Sequence, residues 1–213
     1  MECRSCPRLA GFLDRVREAH PDYHALPVSS FGEQESRFLI VGLAPGMHGA
    51  NRTGRPFTGD FAGKLLYESL HKYGFASSDQ PLDQAGNANP AMSLSGCRIT
   101  NAVRCLPPQN KPEPCEIRTC NGYLAEELAL LPQGAAILAL GAIAHQAVLM
   151  ALQLKKSSFA FGHGARHALP GGLILFDSYH CSRYNTQTKR LTTAMFEGVI
   201  EDIAEYIGGC GQD

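Results

Sequence analysis

Four short stretches of the chain are largely apolar: residues 37–43, 97–103, 135–140 and 173–176. They lack the regular alternation of apolar and polar positions that a half-exposed strand shows. Continuous apolar strands are typical of a parallel sheet that is covered on both faces. The pattern therefore predicts four buried strands in one sheet.

Helical periodicity of apolar positions lies between and around these strands. The predicted helices span residues 7–20, 61–73, 114–131, 142–154 and 188–207. Such alternation predicts a three-layer α/β/α sandwich with a central four-stranded parallel sheet and right-handed crossovers. Since the chain has 213 residues, we expect residues 1–213 to form a single domain.

Two long segments rich in glycine, proline and asparagine interrupt this pattern, at residues 44–59 and 77–95. Irregular segments of this length inside a compact domain are usually functional or mobile. The first follows a predicted strand directly, so we expect it to contribute to a binding site.

Charge and hydropathy narrow the functional classes. The net charge of −1 argues against generic nucleic-acid binding, yet residues 151–190 hold six lysines and arginines against the single acid Asp177. On charge alone, a phosphate-binding face and an ordinary solvated face explain this equally well. The apolar run at residues 135–144 is too short to cross a bilayer, and no export signal is recognisable. We therefore expect a soluble, cytoplasmic protein without a membrane partner.

The chain has eight cysteines, which is many for a cytosolic protein. Disulfides are disfavoured in that compartment, so metal binding or catalysis is the better explanation. Cys3 and Cys6 form a Cys-x-x-Cys pair, and Cys105 and Cys120 lie far downstream. Thiolates suit zinc or an iron–sulfur cluster, and the spacing leaves the metal open. Cys115 is an alternative ligand to Cys120.

Three segments follow predicted strands and contain the polar residues of interest. Residues 42–60 include Gly-Leu-Ala-Pro-Gly and His-Gly-Ala-Asn-Arg-Thr-Gly-Arg-Pro-Phe-Thr-Gly-Asp; residues 100–108 and 177–188 are the other two. In this order and at these strand ends, they resemble family 5 uracil-DNA glycosylases. The segment Cys-x-x-Cys-Pro-Arg-Leu and the Cys105/Cys120 pair resemble that family's ligands to a [4Fe-4S] cluster.

The resemblance implies an enzyme that hydrolyses the N-glycosidic bond of uracil in DNA and leaves an abasic site. It also implies activity on other damaged bases, such as hypoxanthine and ethenocytosine. The expected partner is double-stranded DNA, with single-stranded DNA as a second candidate form. We expect the protein to act as a monomer and the cluster to have a structural role.

Rival interpretations stay open, among them a family 4-like uracil-DNA glycosylase. Family 4 glycosylases usually carry a glutamate where this chain has Leu43, which favours family 5. The third segment of family 5 usually reads His-Pro-Ser, whereas this chain has Cys181 in place of the proline, and proline would stiffen the backbone. A catalytically weak iron–sulfur DNA-binding module of the same fold is therefore a second hypothesis. A zinc-bound α/β hydrolase or nucleotide-binding protein is a third, disfavoured by the absence of common phosphate-binding glycine fingerprints.

Three side chains are the expected catalytic residues. Ligands of open parallel sheets bind beyond the carboxyl ends of the strands, where Asn101 and His180 fall. Asn101 matches a pyrimidine edge with O4 and N3–H, or is a turn residue. By the resemblance, His180 and the backbone amides near Leu43 and Ala44 donate to O2 of the leaving base. Asp60 orients water or stabilises the sugar cation, and it also has the character of a helix N-cap.

Other roles follow from the resemblance. Phe57 resembles the aromatic residue that stacks on an extruded base, although a core position is the alternative. The residues expected to bind substrate are Leu43, Ala44, Phe57, His48, Asn51 and Arg52, the last three at the pocket mouth or the DNA backbone. Those expected to contact the duplex are Ser182 at a phosphate, Arg183, and the candidate wedge residues Tyr184 and Gln187.

Overall fold

A six-stranded sheet forms the centre of the computed structural model, which describes residues 3–209. The strands are β1 (Phe31–Gly32), β2 (Phe38–Gly42), β3 (Cys97–Asn101), β4 (Ala136–Leu140), β5 (Arg166–Ala168) and β6 (Ile174–Ser178). They lie in the order β1-β3-β2-β4-β6-β5. The four inner strands are parallel, whereas β1 and β5 pair antiparallel at the edges.

The parallel core of the sheet confirms the prediction of four buried strands. All five residues of β2 and all five of β4 are buried. Alternate residues of β2 point to opposite faces, so Phe38 and Ile40 enter one apolar layer while Leu39 and Val41 enter the other. The two edge strands were not predicted, and the central sheet therefore has six strands where four were expected.

Helices cover both faces, as the three-layer prediction requires. They are α1 (Pro7–Ala19), α2 (Ala50–Thr53), α3 (Phe61–Lys72), α4 (Pro114–Ala129), α5 (Ala142–Ala151), α6 (Arg183–Gln187) and α7 (Thr193–Gly209). Helices α3 and α7 pack on one face, and α4 and α5 pack on the other. In the part of the chain that the structure describes, no helix is long and apolar enough to cross a membrane.

The predicted last helix, residues 188–207, is wrong at its start. Residues 183–187 form the short helix α6, and α7 begins only at Thr193. Lys189 takes a left-handed backbone with φ 57°, and the Leu191 amide donates to the Asn185 carbonyl at 3.0 Å. This turn ends α6. The Thr192 hydroxyl then accepts from the Met195 amide at 3.2 Å, which caps the next helix.

Helix α3 supplies a test of the packing. Leu66 is fully buried in the layer between α3 and the sheet, whereas Leu130, after α4, is 48% exposed. Leu66→Ala should lower the free energy of unfolding by about 2–5 kcal/mol, because it removes buried methyl groups and leaves a cavity. The matched change Leu130→Ala should lower it by less than about 1 kcal/mol, since surface changes are usually small. Denaturant titrations of both variants measure the difference, and equal losses would contradict this account of the core.

Candidate active site

The carboxyl ends of the parallel strands lie at one edge of the sheet. Gly42 of β2 is the register partner of Asn101 of β3, and Leu140 of β4 is the partner of Ser178 of β6. A cavity of about 510 Å³ opens beyond these ends. This volume lies within the range of pockets that hold small molecules.

Most of the predicted site residues line this cavity. They come from three separate segments of the chain: Leu43, Ala44, Phe57, Asp60, Asn101, His180, Ser182 and Arg183. The lining is mainly apolar, with a few polar side chains that converge. This combination is typical of a binding site that uses polar contacts to orient a ligand.

Three residues predicted to bind substrate do not line the cavity. His48 is exposed, and its Nδ1 is 2.8 Å from the Tyr23 hydroxyl. Arg52 donates from Nε to the His48 carbonyl at 3.0 Å. Asn51 is fully buried, and neither atom of its amide group has a hydrogen-bond partner among residues 3–209. The expected contacts of these three side chains, at the pocket mouth or with the DNA backbone, stay a prediction.

Phe57 forms part of the cavity wall and is held by close backbone packing. Its backbone is left-handed, with φ 53°. A Cβ atom on Gly63 would collide with the Phe57 carbonyl, and a Cβ on Gly42 would lie 2.7 Å from the Phe57 ring. Glycine is thus required at both positions. The ring lies 5.9 Å from the imidazole of His180, at an interplanar angle of 27°.

Asp60 both caps a helix and lines the cavity. It is the N-cap of α3, where Oδ1 accepts from the Gly63 amide at 2.8 Å. Its second oxygen faces the backbone at Gly49, where an added Cβ would lie 2.6 Å from Oδ2. Burial raises the pKa of this carboxyl group, and hydrogen bonds from the Gly63 and Ala62 amides oppose that shift. Asp60 also lines the cavity, so capping does not prevent contact with a ligand.

Asn101 and His180 each bring an unsatisfied polar atom to the site. Asn101 is nearly buried, and its Oδ1 has no hydrogen-bond partner within the described part of the chain. The Nδ1 of His180 is buried and unpaired in the same sense. Burial lowers the pKa of His180 to about 4, so the imidazole is neutral near pH 7. Both atoms belong to residues of the cavity wall, so they are available to hydrogen-bond a ligand there.

Two segments of the cavity wall were not predicted from the sequence. Gly141, Ala142 and Ile143 at the start of α5 line it, as does Asn110 in the short 3₁₀ turn Pro108–Asn110. Gly141 has φ 98° and directly follows β4. A glycine immediately after a buried strand was a signal that could have identified this segment.

Asp177 of β6, just before the segment that holds His180, forms a histidine–aspartate cluster with His145 of α5 and His167 of β5. Asp177 Oδ1 is 2.8 Å from Nδ1 of His145, and its Oδ2 is 3.2 Å from Nε2 of His167. Nε2 of His145 is 3.0 Å from the Phe159 carbonyl, so both of its ring nitrogens face acceptors. Burial opposes charge on His145, but the Asp177 hydrogen bond and charge outweigh it and raise its pKa. Asp177 therefore links β6 to α5 through His145 and to β5 through His167.

Four cysteines surround a second, smaller cavity beside α1. These are Cys3, Cys6, Cys105 and Cys120. Cys115 is exposed and does not line this cavity; its thiol is 3.6 Å from a Glu113 carboxylate oxygen. The Arg104 amide donates to Sγ of Cys120 at 3.4 Å. Burial raises the pKa of Cys105 to about 12, and a bound metal cation would offset this by stabilising the thiolate.

Comparison with known proteins identifies the family. The family model described as the uracil DNA glycosylase superfamily matches residues 29–204. A type-5 uracil-DNA glycosylase of Thermus thermophilus is 46% identical over 97% of this chain and 94% of its own length. The chain belongs to the uracil-DNA glycosylase superfamily.

Within this superfamily, the similarity to type-5 proteins is the stronger one. A type-5 uracil-DNA glycosylase of Mycobacterium bovis is 40% identical over 97% of this chain and 78% of its own length. A type-4 uracil-DNA glycosylase of Pyrobaculum aerophilum is 34% identical over 88% of this chain and 85% of its own length. The resemblance to family 5 is thus confirmed.

The glycosylase segment that carries His180 has Cys181 where the family usually has proline. Cys181 is fully buried, and burial raises the pKa of its thiol, which therefore stays protonated. Two hydrogen bonds restrain the backbone here. Asn185 Nδ2 donates to the His180 carbonyl at 2.8 Å, and the Tyr179 amide donates to Nδ1 of His163 at 3.3 Å. Both contacts hold the backbone directly before Cys181.

The lowered pKa of His180 predicts a pH dependence of stability. Its ordinary pKa is 6.5 and its value in the fold is about 4. Between these values the unfolded chain binds a proton that the folded chain does not, so stability should fall as the pH decreases from 6.5 towards 4. His180→Gln should reduce this loss. Denaturant titrations at pH 7 and pH 5 measure it, and an unchanged loss in the variant would exclude His180 as its source.

Proposed function

We propose that the protein hydrolyses the N-glycosidic bond between uracil and deoxyribose in DNA and leaves an abasic site. Membership of the superfamily supports this class of DNA-repair reaction. The observation that carries the proposal is the unpaired Oδ1 of Asn101 in an apolar cavity that Phe57, Asp60 and His180 also line. A pyrimidine with an N–H beside a carbonyl group is a suitable partner for that amide.

Recognition of the base requires that it leave the duplex. Extrusion costs about a few kcal/mol, and the enzyme recovers this by stacking and by hydrogen bonds to the base edge. Phe57 provides the aromatic surface. In this proposal, Asn101 accepts from N3–H through Oδ1 and donates to O4 through Nδ2. The fixed position of the Phe57 ring against Gly42 places the stacking surface beside the strand that carries Asn101.

Cleavage separates charge between the sugar and the base. Water adds its oxygen to C1′, the C1′–N1 bond breaks, and its electron pair leaves with the uracil, while the sugar passes through an oxocarbenium-like state. The Asp60 carboxylate stabilises that cation and orients the water. The proton that the water loses passes to this carboxylate and then to solvent, and the uracil anion takes up a proton from solvent after its release. Neutral His180 donates a hydrogen bond to O2 of the leaving base. The backbone amides near Leu43 and Ala44 assist at the same oxygen.

Contact with the duplex is assigned to α6 and the residues beside it. Ser182 caps α6 by accepting from the Asn185 amide at 3.4 Å, and it lines the cavity. Tyr184 is 71% exposed, too much for a core aromatic residue, so its ring is available to enter the space that the flipped base vacates. Arg183 and Gln187 are also exposed on this helix. Their roles at phosphate and in the duplex rest on this exposure and on the resemblance.

We also propose that the enzyme accepts bases beyond uracil. Its volume of about 510 Å³ exceeds what one pyrimidine ring needs. At the position where family 4 usually has a carboxylate, this chain has the apolar residue Leu43, which lines the cavity. Hypoxanthine and ethenocytosine are therefore included in the proposed substrates. Double-stranded DNA is the first proposed form, with single-stranded DNA second.

A [4Fe-4S] cluster is the proposed occupant of the cysteine cavity. The four thiols of Cys3, Cys6, Cys105 and Cys120 match the donor set of such a cluster, and Cys115 lies outside it. The cluster would tie the start of α1 to the segment after β3 and to α4. It enters no step of the reaction. A single domain, a monomer and a cytoplasmic location remain predictions from the sequence.

The excision reaction tests the function, and Asp60→Asn tests the mechanism. Single-turnover assays use a duplex with one uracil, followed by alkali to break the strand at abasic sites. The wild-type protein should break the strand at the uracil position. Asparagine retains N-cap capacity but removes the negative charge, so Asp60→Asn should fold normally and excise uracil at least about a hundredfold more slowly. Its affinity for the uracil duplex should change little.

The outcomes separate the glycosylase from the DNA-binding module, and they show whether Asp60 takes part in the chemistry. If the wild-type protein holds its cluster but breaks no strand and binds uracil and normal duplexes equally, the DNA-binding module replaces the glycosylase. If the wild-type protein excises uracil and Asp60→Asn is equally fast, the carboxylate has no role in the chemistry. Asp60→Ala, which also removes the cap, shows how much of any loss comes from folding.

The proposed ligand set predicts that substitutions of Cys115 and Cys120, which both lie on α4, have different effects. Cys120 lines the cysteine cavity and Cys115 does not. Cys120→Ser should reduce bound iron and sulfide and the visible absorbance of the purified protein, whereas Cys115→Ser should leave all three unchanged. Iron, sulfide and zinc analysis of both variants measures this. Zinc without iron in the wild-type protein would contradict the cluster, and loss of iron in Cys115→Ser would contradict the ligand set.

A further inference from the structure

Three side chains with metal-binding atoms meet at β6, and they come from three different elements. His145 lies on α5, His167 on β5 and Asp177 on β6. One ligand atom from each takes part, and the three atoms lie within 4.8 Å of one another. Zinc binds imidazole nitrogen and carboxylate oxygen at about 2.0–2.2 Å, so two ligand atoms on one tetrahedral ion are about 3.3 Å apart. The two imidazole nitrogens lie 2.8 and 3.2 Å from the Asp177 oxygens, close to that spacing.

The hydrogen bonding of His145 requires a cation between its ring and Asp177. Nε2 of His145 lies 3.0 Å from the Phe159 carbonyl, which can only accept, so this nitrogen carries a proton. In a neutral imidazole, Nδ1 would then turn a lone pair towards the lone pairs of the Asp177 carboxylate, 2.8 Å away. Either a second proton or a metal ion must therefore lie between these two atoms. A histidine that binds a metal commonly donates its other N–H to a backbone carbonyl in this way.

The surroundings of the three side chains also suit a bound ion. The Gly162 amide donates to Oδ2 of Asp177 at 3.4 Å and so orients the carboxylate. The ring of Phe161 packs edge-on against His145, with the centroids 5.7 Å apart. The side chains of His145 and Asp177 are 2% and 0% exposed, whereas that of His167 is 16% exposed. An ion here would be largely shielded from water, and it could enter past His167.

We propose that His145, His167 and Asp177 form a binding site for one zinc ion. Imidazole nitrogen suits a transition metal of this class, whereas calcium and magnesium take oxygen ligands. Three protein ligands leave the fourth tetrahedral position to water. Without zinc, a proton on Nδ1 of His145 takes its place.

The proposed ion has a structural role. It links β6 to α5 and β5 shortly before His180 in the sequence, and therefore stabilises the strand end that leads to this residue. The site is separate from the cysteine cavity, since none of its three ligands lines that cavity. The proposal does not rest on the proposed glycosylase function.

Zinc titration of the purified protein tests this site. The protein is first dialysed against a chelator, and its iron and zinc contents are measured before and after the titration. His167→Gln removes the most exposed of the three ligands, and Asp177→Asn keeps the shape of the carboxylate but removes its charge. The matched control is His71→Gln, because Nδ1 of this histidine lies 2.9 Å from the Ala76 carbonyl, outside the cluster. Isothermal titration calorimetry with Zn²⁺ gives the affinity.

The wild-type protein and His71→Gln should each bind one added Zn²⁺ per chain and keep their iron. His167→Gln and Asp177→Asn should bind it at least about a hundredfold more weakly, because loss of a ligand costs at least as much as loss of an outer-shell partner. Zinc should also raise the midpoint of thermal unfolding of the wild-type protein but not of His167→Gln, since an ion that binds only the folded chain stabilises it.

Three results would overturn the proposal. If the wild-type protein takes up no zinc, the three side chains form only an ion pair. If His167→Gln binds zinc as tightly as the wild-type protein, the zinc lies elsewhere. If iron is lost as zinc is taken up, the zinc occupies the cysteine cavity instead. Should Asp177→Asn fail to fold, His167→Gln decides alone, and none of these results depends on excision of uracil.

Discussion

Hydrogen-bonded register between the parallel strands is the constraint on which the site depends. It sets Gly42 beside Asn101 and Leu140 beside Ser178, so the segments that follow leave the sheet at one edge. A slip of one residue would turn every side chain of a strand to the other face. Asn101 would then point away from the cavity. The apolar layers on both faces of β2 oppose such a slip, so the packing of the core fixes the geometry of the site.

The segment between β2 and α3 forms part of the cavity wall beside these strand ends. It must return Phe57 and Asp60 to the strand ends, and it can do so only because two glycines allow close approach of the Phe57 ring and carbonyl. Asp60 then starts α3 through its bond to the Gly63 amide. The same carboxylate serves the helix and the cavity. The capping role of Asp60 and its position in the cavity wall are therefore compatible.

The sequence predicted the parts of the fold that depend on local pattern. Continuous apolar runs identified the inner strands, since burial on both faces leaves that signature in the sequence. The edge strands Phe31–Gly32 and Arg166–Ala168 are short and partly exposed, so no such signature exists. The break at Lys189 depends on one left-handed residue. Arg8 donates to the Lys111 carbonyl from far away in the sequence, and spacing alone could not indicate that contact.

In the proposed mechanism, electrostatics explains how one cavity can favour both the positive charge on the sugar and the negative charge on the leaving base. The apolar lining strengthens Coulombic interactions, so a carboxylate near the sugar has more effect than it would in water. The same burial raises the pKa of Asp60, and the amides of α3 counteract this by donating to its charged form. At the leaving base, a neutral hydrogen-bond donor is needed instead of a charged group. His180 is kept neutral by burial, and it can donate a hydrogen bond there without placing a cation against the developing sugar charge. Cys181 remains a neutral thiol and adds no charge between them.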